Sequence, residues 1–175
     1  VNRDEFSKFV EHYLITPPGI QALEWIPRVP HKRRKNHEMN ARKDGAPNYQ
    51  IVYRKSQGIM DRIPQKKEYF PVYYVEPLKG NDDAIGFDLS SNDKRFEILR
   101  QSRDSGKMLA TPRIKLVQEV RSQFGFLVFY PSYAKESAHD SVKARQENLT
   151  GFVLGVFRIK DIVDASLLKV GKSFK

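Results

Sequence analysis

"GFDLSSNDKRFEILRQSRDSGKMLATP", residues 86–112, decides how the chain is read. An apolar step carries a carboxylate, Asp88, between Phe87 and Leu89, and a helix-like run follows before a short segment closed by Thr111 and Pro112. Ser90 stands as an N-cap with Asp93 three residues on, Phe96 and Leu99 give an apolar face, and Gly106 follows the end. That punctuation predicts a helix inside residues 90–106. A carboxylate just before a helix is stabilised by the free N–H groups and the dipole there, so one reading of Asp88 is a cap. On the other, Ser90 is the cap and Asp88 lines a cleft, accepting hydrogen bonds from a ligand while Phe87 and Leu89 fix its direction.

Working outward, "NRDEFSKFVEHYL" places Phe6, Phe9, Val10, Tyr13 and Leu14 at steps of three and four, the stripe of an amphipathic helix stopped by "TPPG". "IQALEWIPRVP" is apolar, and Pro27 and Pro30 forbid a long helix there. "HKRRKNHEMNARKDG" predicts a solvated basic helix over 32–43 that ends at Gly45. "NYQIVYRK", "YFPVYYVEP", "GFLVFYPSY" and "GFVLGVFRI" read as strands, with Pro71 pushing its strand toward an edge or an irregular start. "RIKLVQEV" alternates in part and leads to a turn at "RSQFG". "AKESAHDSVKARQENLT" is a long loop or an exposed helix, and "KDIVDASLL" a short final helix. Helices come early and strands dominate the second half, so the fold class is α+β with an antiparallel sheet, not a βαβ array.

At 175 residues the chain is one domain, or one domain with an added helix, long enough to bury a real core. Its net charge of +10 makes an anionic partner a question from the start. The absence of cysteine excludes disulfides and Cys-based zinc sites. No run approaches the roughly 18 to 20 apolar residues of a membrane span. The chain begins "VNRDEF" and ends "LLKVGKSFK", ends expected of an excised domain.

The run Lys32, Arg33, Arg34 and Lys35 reads as a phosphate-contacting patch or, more simply, as a solvated helix face diluted by Glu38 and Asp44. His12, His31, His37 and His139 are scattered without zinc-site spacing, so no metal is expected. No nucleophile elbow, phosphate loop or dinucleotide turn is present, and no catalytic residue or cofactor is indicated.

Several stretches, in order, resemble one family. "GIQALEWIPRVP", "ARKDG", "YFPVYYVEP", the 86–112 stretch, "LVQE", "GFLVFYPSY" and "GFVLGVFRI" are similar to the blocks of the CHASE sensor domain. This is the extracytoplasmic ligand-binding module of sensor histidine kinases, diguanylate cyclases and related receptors, the plant cytokinin receptors included. The resemblance covers residues 6–168, and the ordered set carries it, not any single motif.

The resemblance implies a PAS-like fold with a central antiparallel sheet of about five strands, helices on one side and a long N-terminal helix. Residues 1–18 would then be a stalk helix, 19–168 the sensor domain and 169–175 a tail toward the membrane. It implies a membrane-anchored receptor of bacterial type, with this part periplasmic or extracellular and with a kinase, diguanylate cyclase or phosphodiesterase output inside. Asp88 falls on the family's ligand-binding aspartate, and the backbone contact after Gly106 falls on Leu109 or Ala110. Thr111 closes that segment, and a further polar position falls near Gln118 or Glu119. Phe87, Tyr73 and Phe126 are expected as apolar walls. The expected partner is a small molecule, with a homodimer through the first helix as an option and no nucleic acid. The alternative from another class is a nucleic-acid or anionic-surface module using 32–42; an enzyme acting through Asp88 and Glu119 stands behind both.

Overall fold

In the computed structural model, which describes residues 2–15, 19–55, 59–115 and 124–173, burial alternates most cleanly where two prolines argue against helix. In Ile20–Pro27 the buried positions are Ala22, Glu24 and Ile26, while Leu23 and Trp25 turn to the opposite face. This stretch is a strand, β1, and it lies inside the sheet between two others, a correction to its reading as merely non-helical apolar chain. Pro27 is its last residue, and Pro30 lies in a separate two-residue ladder, so neither removes a hydrogen bond from the middle of the sheet.

Helix α1 (Arg3–Ile15) precedes β1, and β2 (Val29–Pro30) follows it. A 3-10 turn, His31–Arg33, leads into α2 (Arg34–Lys43). Then come β3 (Val52–Arg54), β4 (Met60–Arg62), β5 (Glu68–Tyr69) and β6 (Tyr74–Glu76). Two more 3-10 turns, Asp82–Ala84 and Leu89–Ser91, lead to α3 (Asp93–Ser105). The chain continues through β7 (Leu109–Ala110), β8 (Ile114–Lys115), β9 (Phe124–Tyr133), α4 (Val142–Asn148), β10 (Leu149–Arg158) and α5 (Ile159–Ser173).

The main sheet is antiparallel, ordered β6-β1-β10-β9-β7, with β8 sharing the β9 edge. The first long strand therefore lies beside the last, with Trp25 opposite Val153 and Leu154 opposite Phe129. Small ladders β2–β5 and β3–β4 stand apart from it. The α+β class and the antiparallel sheet are as expected.

One face of the sheet, bearing Ile26, Phe129, Phe152 and Leu154, forms the main core with Phe87, Leu89 and Leu99. Helix α3 covers this side. A second cluster joins α2 to Tyr49, Ile51, Ile63 and Tyr69. In a third, α1 lays Phe6 and Val10 on Tyr74, Leu23 and Trp25, so this helix occupies the opposite face of the sheet. It spans 13 residues and is not the long helix that the resemblance implies.

The basic helix is present, but it is not simply a solvated face. Arg34 and Glu38 are buried beside Ala41, because a helix that packs at this spacing must bring every fourth residue inward. Arg34 Nε donates to Glu38 at 3.0 Å and its Nη1 to the Ile63 carbonyl at 2.9 Å, over the Tyr69 ring. Glu38 in turn accepts from the Ile51 N–H at 3.2 Å. Lys32, Arg33 and Lys35 remain exposed.

Candidate ligand-binding site

Three chain segments interlock around Asp88. The Gly86 carbonyl accepts from Val52 N–H at 2.9 Å, the Asp88 N–H donates to the Val52 carbonyl at 2.9 Å, and the Leu89 N–H donates to the Phe70 carbonyl at 3.0 Å. Gly86 takes φ +80°, and a Cβ there would stand 2.1 Å from the Gln50 carbonyl oxygen, so glycine is required by both conformation and space. The clamp turns the Asp88 side chain fully inward, at 0% exposure.

Its carboxylate is saturated. Oδ1 accepts from the Phe70 N–H at 2.8 Å, the Ser90 N–H at 3.1 Å and the Ser90 hydroxyl at 2.8 Å. Lys66 Nζ reaches Oδ2 at 3.3 Å and also donates to the Ser90 carbonyl at 3.0 Å. Asp88 thus caps the turn Leu89–Ser91, and the cap of α3 is Asn92, whose side chain accepts from Arg95 N–H. This corrects the assignment of the cap to Ser90: its hydroxyl is spent on Asp88, and a 3-10 turn separates it from the helix. At the other end Gly106 closes α3 in the left-handed conformation, as the sequence predicts.

The remaining candidates do not gather around one cavity. Phe87 lies in the main core with the Arg95 guanidinium 5.4 Å from its ring centre. Leu109 and Ala110 pair with Phe129 and Val128 at the sheet edge. Thr111 is buried and continues that pairing, its hydroxyl accepting from Leu127 N–H at 3.0 Å. Phe126 is half-buried and stacks on Phe157 with centroids 5.0 Å apart, away from Leu127 and the core. Tyr73 packs between His37 and Tyr74 near α1. Gln118 and Glu119 lie outside the described residues.

Two charged groups that sequence reading missed sit within the fold. Glu24 is 2% exposed on the core-facing side of β1, and Arg95 is 8% exposed on α3. Burial, with the nearby Arg54 charge, pushes the Arg95 guanidinium down to about 10, and Glu24 offsets part of that shift. The available signal was Glu24 in phase with Ala22 and Ile26, a carboxylate at a core-facing position of a strand. Among the described residues, no three His, Cys, Asp or Glu side chains form a group able to hold a metal ion.

The concavities take in single candidates, Tyr73 in one and the Asp88 partner Lys66 in another. A groove of about 770 Å³ runs between α1 and the outer face of the sheet, lined by Phe6, Phe9, Trp25, Tyr73, Tyr74 and Val153 among others. A notch of about 520 Å³ between the starts of two segments is lined by Pro30, His31, Lys32, Gln65, Lys66 and Lys67. No helix of the described residues is long and apolar enough to cross a membrane.

Residues 1–174 match the family model described as CHASE domain. The chain is also similar to "Hybrid signal transduction histidine kinase A" of Dictyostelium discoideum, at 25% identity over 178 residues. That alignment covers 97% of this chain and 8% of the kinase, so the chain spans a small part of that relative's length. The chain belongs to the CHASE domain family, the extracellular sensor modules of membrane signalling receptors.

Proposed function

We propose that this domain binds a small molecule on the periplasmic or extracellular side of a membrane and transmits occupancy to a cytoplasmic output such as a histidine kinase or diguanylate cyclase. The match of residues 1–174 to a sensor family carries the reading. The histidine kinase similarity supports a kinase output. The domain itself is sensory, not catalytic. Ligand binding can bias the output only if two arrangements of the domain hold the ligand unequally.

The 86–112 segment is the proposed lip, with Asp88, Phe87, Leu109, Ala110 and Thr111 on it and Tyr73, Gln118, Glu119 and Phe126 as further ligand-binding candidates. Lys66 is the one partner of Asp88 with appreciable exposure, 33% at the side chain. A ligand N–H donor that replaces Lys66 would meet Asp88 Oδ2 without disturbing the backbone bonds to Oδ1. A thermal-shift screen of metabolites, purines and amino acids included, tests this on wild type and Asp88→Asn. Hits should raise the melting temperature by mass action, less so in the variant. A hit that stabilises both proteins equally removes Asp88 from the ligand site.

The notch at Lys32, Lys66 and Lys67 favours a second reading, an anionic-surface or nucleic-acid module, because no carboxylate lines it. A salt titration with DNA and RNA decides: steep salt dependence near physiological ionic strength supports it, and no binding sinks it.

A further inference from the structure

The groove under α1 has two donors that the protein leaves over. Four other tyrosine hydroxyls are engaged: Tyr49 with His37, Tyr69 with His31, Tyr74 with Asp44, and Tyr133 with the Arg103 carbonyl. Tyr73 and Trp25 are half-buried and line the groove, yet neither the Tyr73 hydroxyl nor the Trp25 indole N–H has a hydrogen-bond partner among the described residues. Half-buried tyrosine and tryptophan donors normally find an acceptor. Packing fixes the Tyr73 ring, with centroids 4.9 Å from His37 and 4.6 Å from Tyr74. Burial holds its phenol above the ordinary range, so it stays a donor at neutral pH.

The lining also selects by charge. Glu5 is the one charged residue of the lining, and Arg3 lies beside it, its guanidinium 5.3 Å from the Tyr74 ring centre and donating to the Tyr73 carbonyl. The two opposite charges offset, so the aromatic lining favours a neutral molecule over an anion. At about 770 Å³ the groove falls in the range, roughly 300 to 1,000 Å³, of small-molecule sites.

We propose that the groove between α1 and the outer sheet face binds a neutral, flat, ring-bearing small molecule with a hydrogen-bond acceptor, stacked among Trp25, Tyr73 and Phe6. Helix α1 forms one side of the groove, so occupancy acts directly on the segment that precedes β1. This rests on the sensor reading above and adds a site on the sheet face opposite Asp88.

Trp25 is the sole tryptophan, which makes its emission a local reporter. The probe is caffeine, which is flat, neutral and rich in acceptors; naphthalene-1-sulfonate serves as the anionic control. Caffeine should change Trp25 emission saturably and slow amide exchange in α1. The sulfonate should bind about tenfold more weakly or worse, and Tyr73→Phe should weaken caffeine by up to about tenfold through loss of one hydrogen bond. Val153→Phe fills the groove from an exposed strand position and should abolish the response without unfolding the domain. No saturable change, an undiminished change in Val153→Phe, or a dimer that this variant dissociates overturns the assignment. A compound that stabilises wild type and Val153→Phe equally, with Trp25 emission unchanged, overturns the groove and leaves the sensor reading intact. A full-length receptor whose output ignores every stabilising compound overturns the sensor reading, whatever Trp25 reports.

Discussion

Replacing Asp88 by alanine separates a structural carboxylate from one held ready for a ligand. The group is 0% exposed, and its removal strands the Phe70 N–H and the Ser90 N–H, which sit 2.8 and 3.1 Å from Oδ1. Each buried donor left without an acceptor costs about 1–3 kcal/mol. Breaking a buried ion pair adds up to about 3–5 kcal/mol in full burial. The Lys66 side chain is 33% exposed and can turn to water, so little of that applies here. The expected loss is about 3–5 kcal/mol, a large part of the roughly 5–15 kcal/mol that stabilises a domain. Asp88→Asn keeps one carbonyl acceptor and should lose about half as much. Urea unfolding followed by Trp25 emission measures both, with the slope reporting whether the denatured state has changed. A loss below about 1 kcal/mol at unchanged slope would refute the account of Asp88 as the anchor of residues 86–91.

Three further outcomes follow from the same geometry. His37 is held down to about 4 by burial, with Glu38 opposing, so the folded state keeps it neutral where the unfolded chain would protonate it. Its contribution is whole above the unfolded value of about 6.5 and is lost as pH falls toward 4, up to about 3 kcal/mol; His37→Gln should flatten that part of the stability profile. Gly86→Ala should lower the melting temperature by about 5 °C or more, or prevent folding, since φ +80° and the 2.1 Å approach to Gln50 both oppose a side chain. Asn92→Ala should cost about 1 kcal/mol through loss of the α3 cap, read by chemical denaturation, and no loss would return the cap to another residue.

What the sequence made legible was set by periodicity and punctuation. Helix α3 shows its end in Gly106, and β9 and β10 are long, aromatic and β-branched. Strand β1 was hidden for two reasons. Its outward residues Leu23 and Trp25 are apolar because α1 covers them, so the alternation expected of a half-buried strand is erased. Its inward Glu24 breaks what remains. The role of Asp88 was hidden because its partners Lys66 and Phe70 lie 22 and 18 residues earlier, and spacing along the chain does not show that a loop folds back. The groove has the same origin: the stripe of Phe6 and Val10 was visible, but Trp25, Tyr74 and Val153 reach it from three different strands.

The topology also bears on how a bound molecule could be felt beyond the domain. Helix α1 precedes β1 and β10 runs into α5, and these two strands are hydrogen-bonded neighbours along most of their length. The residue before β1 touches the β10–α5 junction: Arg158 N–H donates to the Gly19 carbonyl at 3.1 Å, and Gly19, at φ +99°, lies against Ile162 of α5. A Cβ on Gly19 would stand 2.2 Å from Ile162 Cγ1, so the strand start and the last helix cannot be separated by even a methyl group without movement. Close-packed contacts of this kind transmit displacement instead of absorbing it. If α1 shifts on Leu23 and Trp25, against which it packs, the load falls on β1 and, through the contacts of Gly19, on the root of α5. Gly19→Ala should weaken or reset that link. In a full-length receptor the expected outcome is altered basal output with ligand affinity little changed, and a parallel loss of affinity would place the effect in the binding site instead.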